Sequence, residues 1–122
     1  MPGSLSNYAE NNVLDTLLSG TKYVGLFTDA AGISADQPTT ELTGTGYARQ
    51  AVTHAAASGG TKATNSAVTF TAGAAWPTVN YVGVWDAATA GNLLYWASCS
   101  PETLANTNTL TIAAGALSIS GD

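Results

Sequence analysis

Residues 79–99, VNYVGVWDAATAGNLLYWASC, decide how this chain folds. Successive side chains of a strand point to opposite faces, so Tyr81, Gly83 and Trp85 share one face of the run Val79 to Trp85 and Val82 and Val84 share the other. Both faces carry apolar groups, which marks a central strand covered on both sides. The run DAATAG at 86–91 has the length of a hairpin connection, and Asn92 to Cys99 is a second apolar strand, so the two form a local antiparallel pair.

The same pattern of short β-rich runs broken by Gly, Pro, Asn, Asp and Ser extends in both directions from this hairpin. It predicts about seven strands in all. The others are Tyr23 to Thr28, Tyr47 to His54, Ala67 to Thr71, Thr107 to Ile112 and Ala116 to Ser120, with Ala113 to Gly115 joining the last two as a second local pair. Two polar segments, Asp29 to Gly46 and Ala55 to Asn65, read as surface loops. Only Leu5 to Leu18 has a helical period, with Leu5, Tyr8, Ala9, Val13, Leu14, Leu17 and Leu18 on one stripe and Glu10, Asn11 and Asp15 outside. Asn7 and Glu10 have the spacing of a capping box, and Gly20 stands where a helix ends. The expected fold is mainly β: a single antiparallel β-sandwich or jelly-roll-like domain over residues 21–122, preceded by an amphipathic helix or arm over 1–20, as one folding unit. Leu14, Leu17 and Leu18 are candidate partner-docking residues, because a domain this small has little room to bury a whole leucine stripe.

Hydrophobic residues make up 45% of the 122, but charged residues only 9% against roughly 25% in typical soluble domains. Small uncharged side chains in their place suit packing against other subunits in a crowded assembly. The formal net charge is -5, and Lys22, Arg49 and Lys62 are too few and too scattered to track a phosphate backbone or an anionic membrane. No nucleic-acid or membrane partner is expected. Cys99 is the sole cysteine, so an intrachain disulfide is impossible. No secretory leader pattern and no run approaching about 18 apolar residues is present, which predicts a soluble protein made in a cytoplasm.

The chemistry of an enzyme is missing. With His54 alone, neither a histidine metal cluster nor a two-histidine catalytic arrangement can form in one chain. Asp36 and Glu41 share a loop and are the one pair to weigh for glycoside hydrolysis, but two acids in a Thr-rich loop read better as solvated charges. Asp29 and Asp36 lack the spacing of a calcium loop. No phosphate loop, dinucleotide fingerprint or nucleophile elbow is present, and Gly44-Thr45-Gly46 reads as a loop before the strand at Tyr47. The expectation is no catalysis, no metal and no cofactor.

Two groups remain. Trp76, Trp85, Trp96, Tyr81 and Tyr95 could stack on a saccharide, yet such residues more often fill a core or a subunit interface. Arg49, the only arginine, stands in a strand beside Tyr47. It reads as a structural anchor, with Tyr47, Arg49 and Asp86 as its candidate members and Asp86 or Glu41 as the carboxylate partner.

Several stretches then line up in order over most of the chain: Leu5-Ser6-Asn7-Tyr8 with Leu14 to Leu18, YVGLFT at 23–28, Gly46 to Gln50 with AAASGG at 55–60, Val79 to Trp85 with Asp86 to Thr89, Gly91 to Leu94, and AAGAL at 113–117. In this combination the chain resembles a family of small tailed-bacteriophage virion accessory proteins, variously labelled decoration or tail-fibre proteins. The resemblance implies a compact, oligomeric β-domain carried on the virion after assembly in the host cytoplasm, and it brings no catalytic residues. The leading expectation is a non-enzymatic capsid decoration (cement) protein that stabilises the head shell; the alternative is a tail-associated or tail-fibre module that contacts the host surface. Its partners would be other virion proteins, either the major capsid protein or tail proteins, and further copies of itself, in a homo-oligomer such as a trimer.

Overall fold

The structure, a computed structural model, describes residues 1, 3–33 and 36–120. It has one helix, α1 (Asn7–Leu17), and eight strands: β1 (Lys22–Phe27), β2 (Gln50–Val52), β3 (Thr61–Ala63), β4 (Val68–Thr71), β5 (Val79–Trp85), β6 (Leu93–Glu102), β7 (Thr109–Ile112) and β8 (Ser118–Ser120). All pairings are antiparallel. The mainly β class with one N-terminal helix is as expected, and the sheets are open rather than closed into a barrel.

The β5–β6 hairpin is the centre of the molecule. β5 lies between β1 and β6 in a four-stranded sheet of order β2-β1-β5-β6. Its inner face presents Val82 and Val84, which with Val24 and Leu26 of β1 pack against Val68 and Phe70 of β4, Leu117, and Leu18 at the end of the helix. The opposite layer consists of two ribbons, β4 with β7 and β3 with β8. Such a two-layer arrangement lets each sheet bury one apolar face without closing.

Two connections differ from expectation. The last two strands do not pair with each other: β7 pairs β4 and β8 pairs β3. The Gly115 N–H donates to the Thr64 carbonyl (2.7 Å) and the Thr64 N–H donates to the Leu117 carbonyl (3.0 Å), which pins the 113–117 turn onto the end of β3 and sends the chain to the other ribbon. Strand β3 itself lies in the predicted loop Ala55 to Asn65. Its sequence, Thr-Lys-Ala, has no apolar alternation; pairing with β8 makes it a strand.

The helix is capped one residue earlier than expected. Ser6, not Asn7, is the N-cap, with its hydroxyl accepting from the Ala9 N–H at 3.2 Å. Gly20 follows with φ +70, a conformation that suits glycine and turns the chain into β1. The helix is also rotated from the expected stripe: Leu14 (3% exposed), Leu18 (1%) and Glu10 (4%) face inward, while Leu5, Tyr8, Val13 and Leu17 face outward. The polar residues predicted to be outside cause this rotation. Asp15 accepts from the Ala57 N–H (2.9 Å) and from Lys62 Nζ (2.6 Å), and Asn11 accepts from the Gly60 N–H (2.9 Å). These bonds satisfy loop donors that a purely apolar stripe would leave unpaired.

Candidate functional site

The outer face of the four-stranded sheet begins with a pair of glycines. Gly25 of β1 stands opposite Gly83 of β5. A Cβ on Gly25 would lie 2.5 Å from Trp85 and 2.6 Å from the Tyr47 hydroxyl, and one on Gly83 would lie 2.6 Å from Phe27. The bare backbone is therefore what lets large rings lie down on this face. Phe27 stacks on Trp85 with centroids 5.1 Å apart, and the Arg49 guanidinium carbon sits 4.0 Å above the Trp85 ring.

Arg49 is held from three sides. Its Nε and Nη2 donate to the two carboxylate oxygens of Glu41, each at 2.9 Å, in the bidentate fork that matches a carboxylate. Its Nη1 donates to the carbonyls of Ala87 (2.9 Å) and Ala90 (2.7 Å) in the β5–β6 connection. The Tyr47 hydroxyl donates to Glu41 at 2.6 Å and accepts from the Leu26 N–H at 3.0 Å. Burial alone would raise the Glu41 pKa, but the hydrogen bonds from Arg49 and Tyr47, with the Arg49 charge, outweigh it and hold the carboxyl below its ordinary value. Burial, followed by the bond to Glu41, raises the Tyr47 phenol well above its ordinary value.

Of the three anchor candidates, Tyr47 and Arg49 meet here and Asp86 does not. Asp86 accepts from the Asn92 N–H (2.8 Å) and side-chain amide (3.2 Å), closing the turn whose carbonyls hold Arg49. A carboxylate at the mouth of a tight connection finds local N–H groups first, and that takes it away from Arg49, which lies just before β2. Glu41, the other carboxylate weighed, is the ion-pair partner. Trp85, beneath the guanidinium, is the member that strand reading could not supply, because the stacking depends on the Gly25–Gly83 pair.

The candidate docking residues are divided. Leu14 and Leu18 are buried within the chain and are unavailable to a partner; Leu17, 39% exposed, stands beside Val13 on the outer side of the helix. Their separation follows from the Asp15 and Asn11 bonds that set the helix rotation. Among the described residues no helix is long and apolar enough to cross a membrane.

Three other side chains singled out in the sequence, His54, Cys99 and Asp29, are engaged structurally. His54 Nε2 lies 2.8 Å from the Tyr95 hydroxyl, and burial, then the charges of Lys62 and Lys22, lower its pKa. Burial and then Glu102 raise the Cys99 thiol. Asp29 accepts from the N–H groups of Thr39 (3.0 Å) and Thr40 (2.8 Å), so it ties down its own loop. Among the described residues no cluster of His, Cys, Asp or Glu could hold a metal ion.

The aromatic residues also divide. Trp76 and Trp85 are buried, Trp76 with its indole N–H donated to the Thr45 carbonyl at 2.9 Å. Trp96 on β6 is 37% exposed and stands edge-on to Tyr81, centroids 5.6 Å apart. Next to it is a hollow of about 350 Å³ whose walls include Asp36 and Gln37. No spacing in the sequence brings 36–37 to β6; the fold of the loop over the sheet does.

No curated protein matches the chain. Residues 4–120 match the sequence model of a family described as Podophage GP4 fiber I protein gp80, which is a virion fibre-type family and so locates the chain in the virion. This 122-residue chain belongs to the podophage GP4 fiber I protein gp80 family.

Proposed function

We propose that the chain is a non-enzymatic structural module of a phage tail fibre, and not a capsid decoration protein. The match over residues 4–120 carries this reading, since the family is described as a fibre protein and the match spans the helix and all the strands. The fibre description supports the tail-associated alternative over the head-shell expectation. The committed state of the acids supports a structural role: Glu41 is bound by Arg49 and Tyr47, and Asp15, Asp29 and Asp86 each accept main-chain N–H groups. A carboxylate locked in an ion pair is a poor proton carrier.

In this reading the outward face of the helix, with Val13 and Leu17, docks on another virion protein or another copy of the chain. Their exposure supports it, because isolated apolar groups are ordinary on a surface but a row of them on one helix suits an interface. Gold-labelled antibody against the chain, imaged on intact particles, tests the assignment. Label along the fibres is expected; label distributed over the head lattice would overturn it.

A further inference from the structure

We propose that the Trp96 end of the outer sheet face is a saccharide-binding groove that takes a neutral oligosaccharide. Building on the fibre assignment, the proposal names a ligand class for a site on the module. Trp96 is 37% exposed, and its T-shaped contact with the buried Tyr81, centroids 5.6 Å apart, orients the ring. Tyr81 is itself held, its hydroxyl accepting from the Ile33 N–H at 3.1 Å. An oriented, partly exposed aromatic ring matches the C–H face of a pyranose, which is flat and apolar while its rim is polar.

The rim is provided for. Asp36 and Gln37 line the same hollow, and neither side chain hydrogen-bonds to any described residue, in contrast to Asp15, Asp29, Glu41 and Asp86. A carboxylate accepts two hydroxyl protons and a primary amide both donates and accepts, which is the pairing that vicinal hydroxyls need. Such a setting, with an apolar platform and a few convergent polar groups, is that of a small-molecule site.

Charge and shape narrow the ligand further. A second hollow of about 290 Å³, between Pro38 and Trp85, shares Gln37 and Leu93 with the first, so the groove continues past one ring. Of the two acids lining the hollows, Glu41 is neutralised by its fork with Arg49, so Asp36 supplies the uncompensated negative charge. Uronic, sialic or phosphorylated sugars would meet like charge there, and neutral ones would not.

The test uses the purified full chain on a printed array of neutral and acidic bacterial saccharides, followed by titration with the strongest binder. Trp96 is the one exposed tryptophan among three, so saccharide should shield fluorescence from acrylamide quenching. Neutral oligosaccharides should bind, Trp96→Ala should weaken binding about tenfold or more, and Trp96→Phe should retain most of it. Should Trp96→Ala lower thermal stability, Asp36→Asn and Gln37→Ala on the exposed loop carry the test, each expected to weaken binding while the melting temperature stays unchanged. Binding to no saccharide, binding to acidic ones alone, or affinity indifferent to all four variants would overturn the proposal. Because the array needs no particle, its failure leaves the fibre assignment standing, and mislocated gold label leaves the groove standing.

Discussion

The two ends of the outer sheet face are built from the same materials and left in opposite states. At one end Arg49, Glu41 and Tyr47 use their polar atoms on one another and on main-chain groups, with the guanidinium lying over the Trp85 ring. At the other, Trp96 keeps more than a third of its surface in water, beside an acid and an amide with no described partner. A buried polar network that is fully paired rigidifies its site, whereas the exposed Asp36 and Gln37 keep their hydrogen-bonding capacity available to water or a ligand. The saturated end therefore reads as scaffold, and the open end as the place where the molecule meets something else.

Cutting the scaffold end should give the largest effect. Arg49→Ala removes a guanidinium and leaves Glu41 beside Trp85 with only Tyr47, so unfolding free energy should fall by about 3 kcal/mol, while Trp96→Ala should cost about 1 kcal/mol or less. Chemical denaturation of both variants checks this, and equal losses would erase the contrast between the ends. A smaller insult is Gly25→Ala, whose methyl would meet Trp85 and the Tyr47 hydroxyl; overpacking of this kind costs about 1–3 kcal/mol. Its crystal structure should show the Arg49 fork displaced from Trp85.

Acid sharpens the same comparison. The Glu41 pKa is depressed in the fold, so its contribution is complete above the unfolded carboxyl value and is lost as pH falls through the lower folded value. Stability should thus decline below about pH 4.5, and Glu41→Gln should flatten that limb of the curve relative to wild type. An unchanged acid limb in Glu41→Gln would mean that the fork contributes nothing.

The smallest effect on folding is expected at the outward helix face. Leu17→Asp should alter stability by about 0.5 kcal/mol or less and yet abolish attachment to the particle, whereas Leu14→Ala, in the core, should cost about 2–5 kcal/mol in a single cooperative transition. The second outcome also tests whether residues 1–20 and 21–122 fold as one unit. Unfolding of the helix in a separate transition would divide them.

What was legible in the sequence follows from how local the cause is. Val79 to Trp85 carries its own alternation, and its boundaries agree with β5. Thr61 to Ala63 carries none, because its partner β8 lies more than fifty residues away. Leucine spacing found the helix but set its rotation wrongly, since Asn11 and Asp15 bond to a loop whose position no periodicity reveals. The Arg49 anchor was visible as an isolated charge in a strand needing a carboxylate. The choice of Glu41 over Asp86 required knowing that Asn92 would hold Asp86 first. The Trp96 groove was visible only as an aromatic residue, because its polar walls come from a loop with no pattern of its own.

The most direct measurement of the central claim is a cryo-EM reconstruction of the virion at a resolution that separates strands. The account predicts density for the four-stranded sheet and its helix within a tail fibre, with Val13 and Leu17 against a neighbouring subunit and the Trp96 end facing solvent. The same fold sitting on the head lattice, or with the Trp96 end sealed inside a subunit contact, would contradict it.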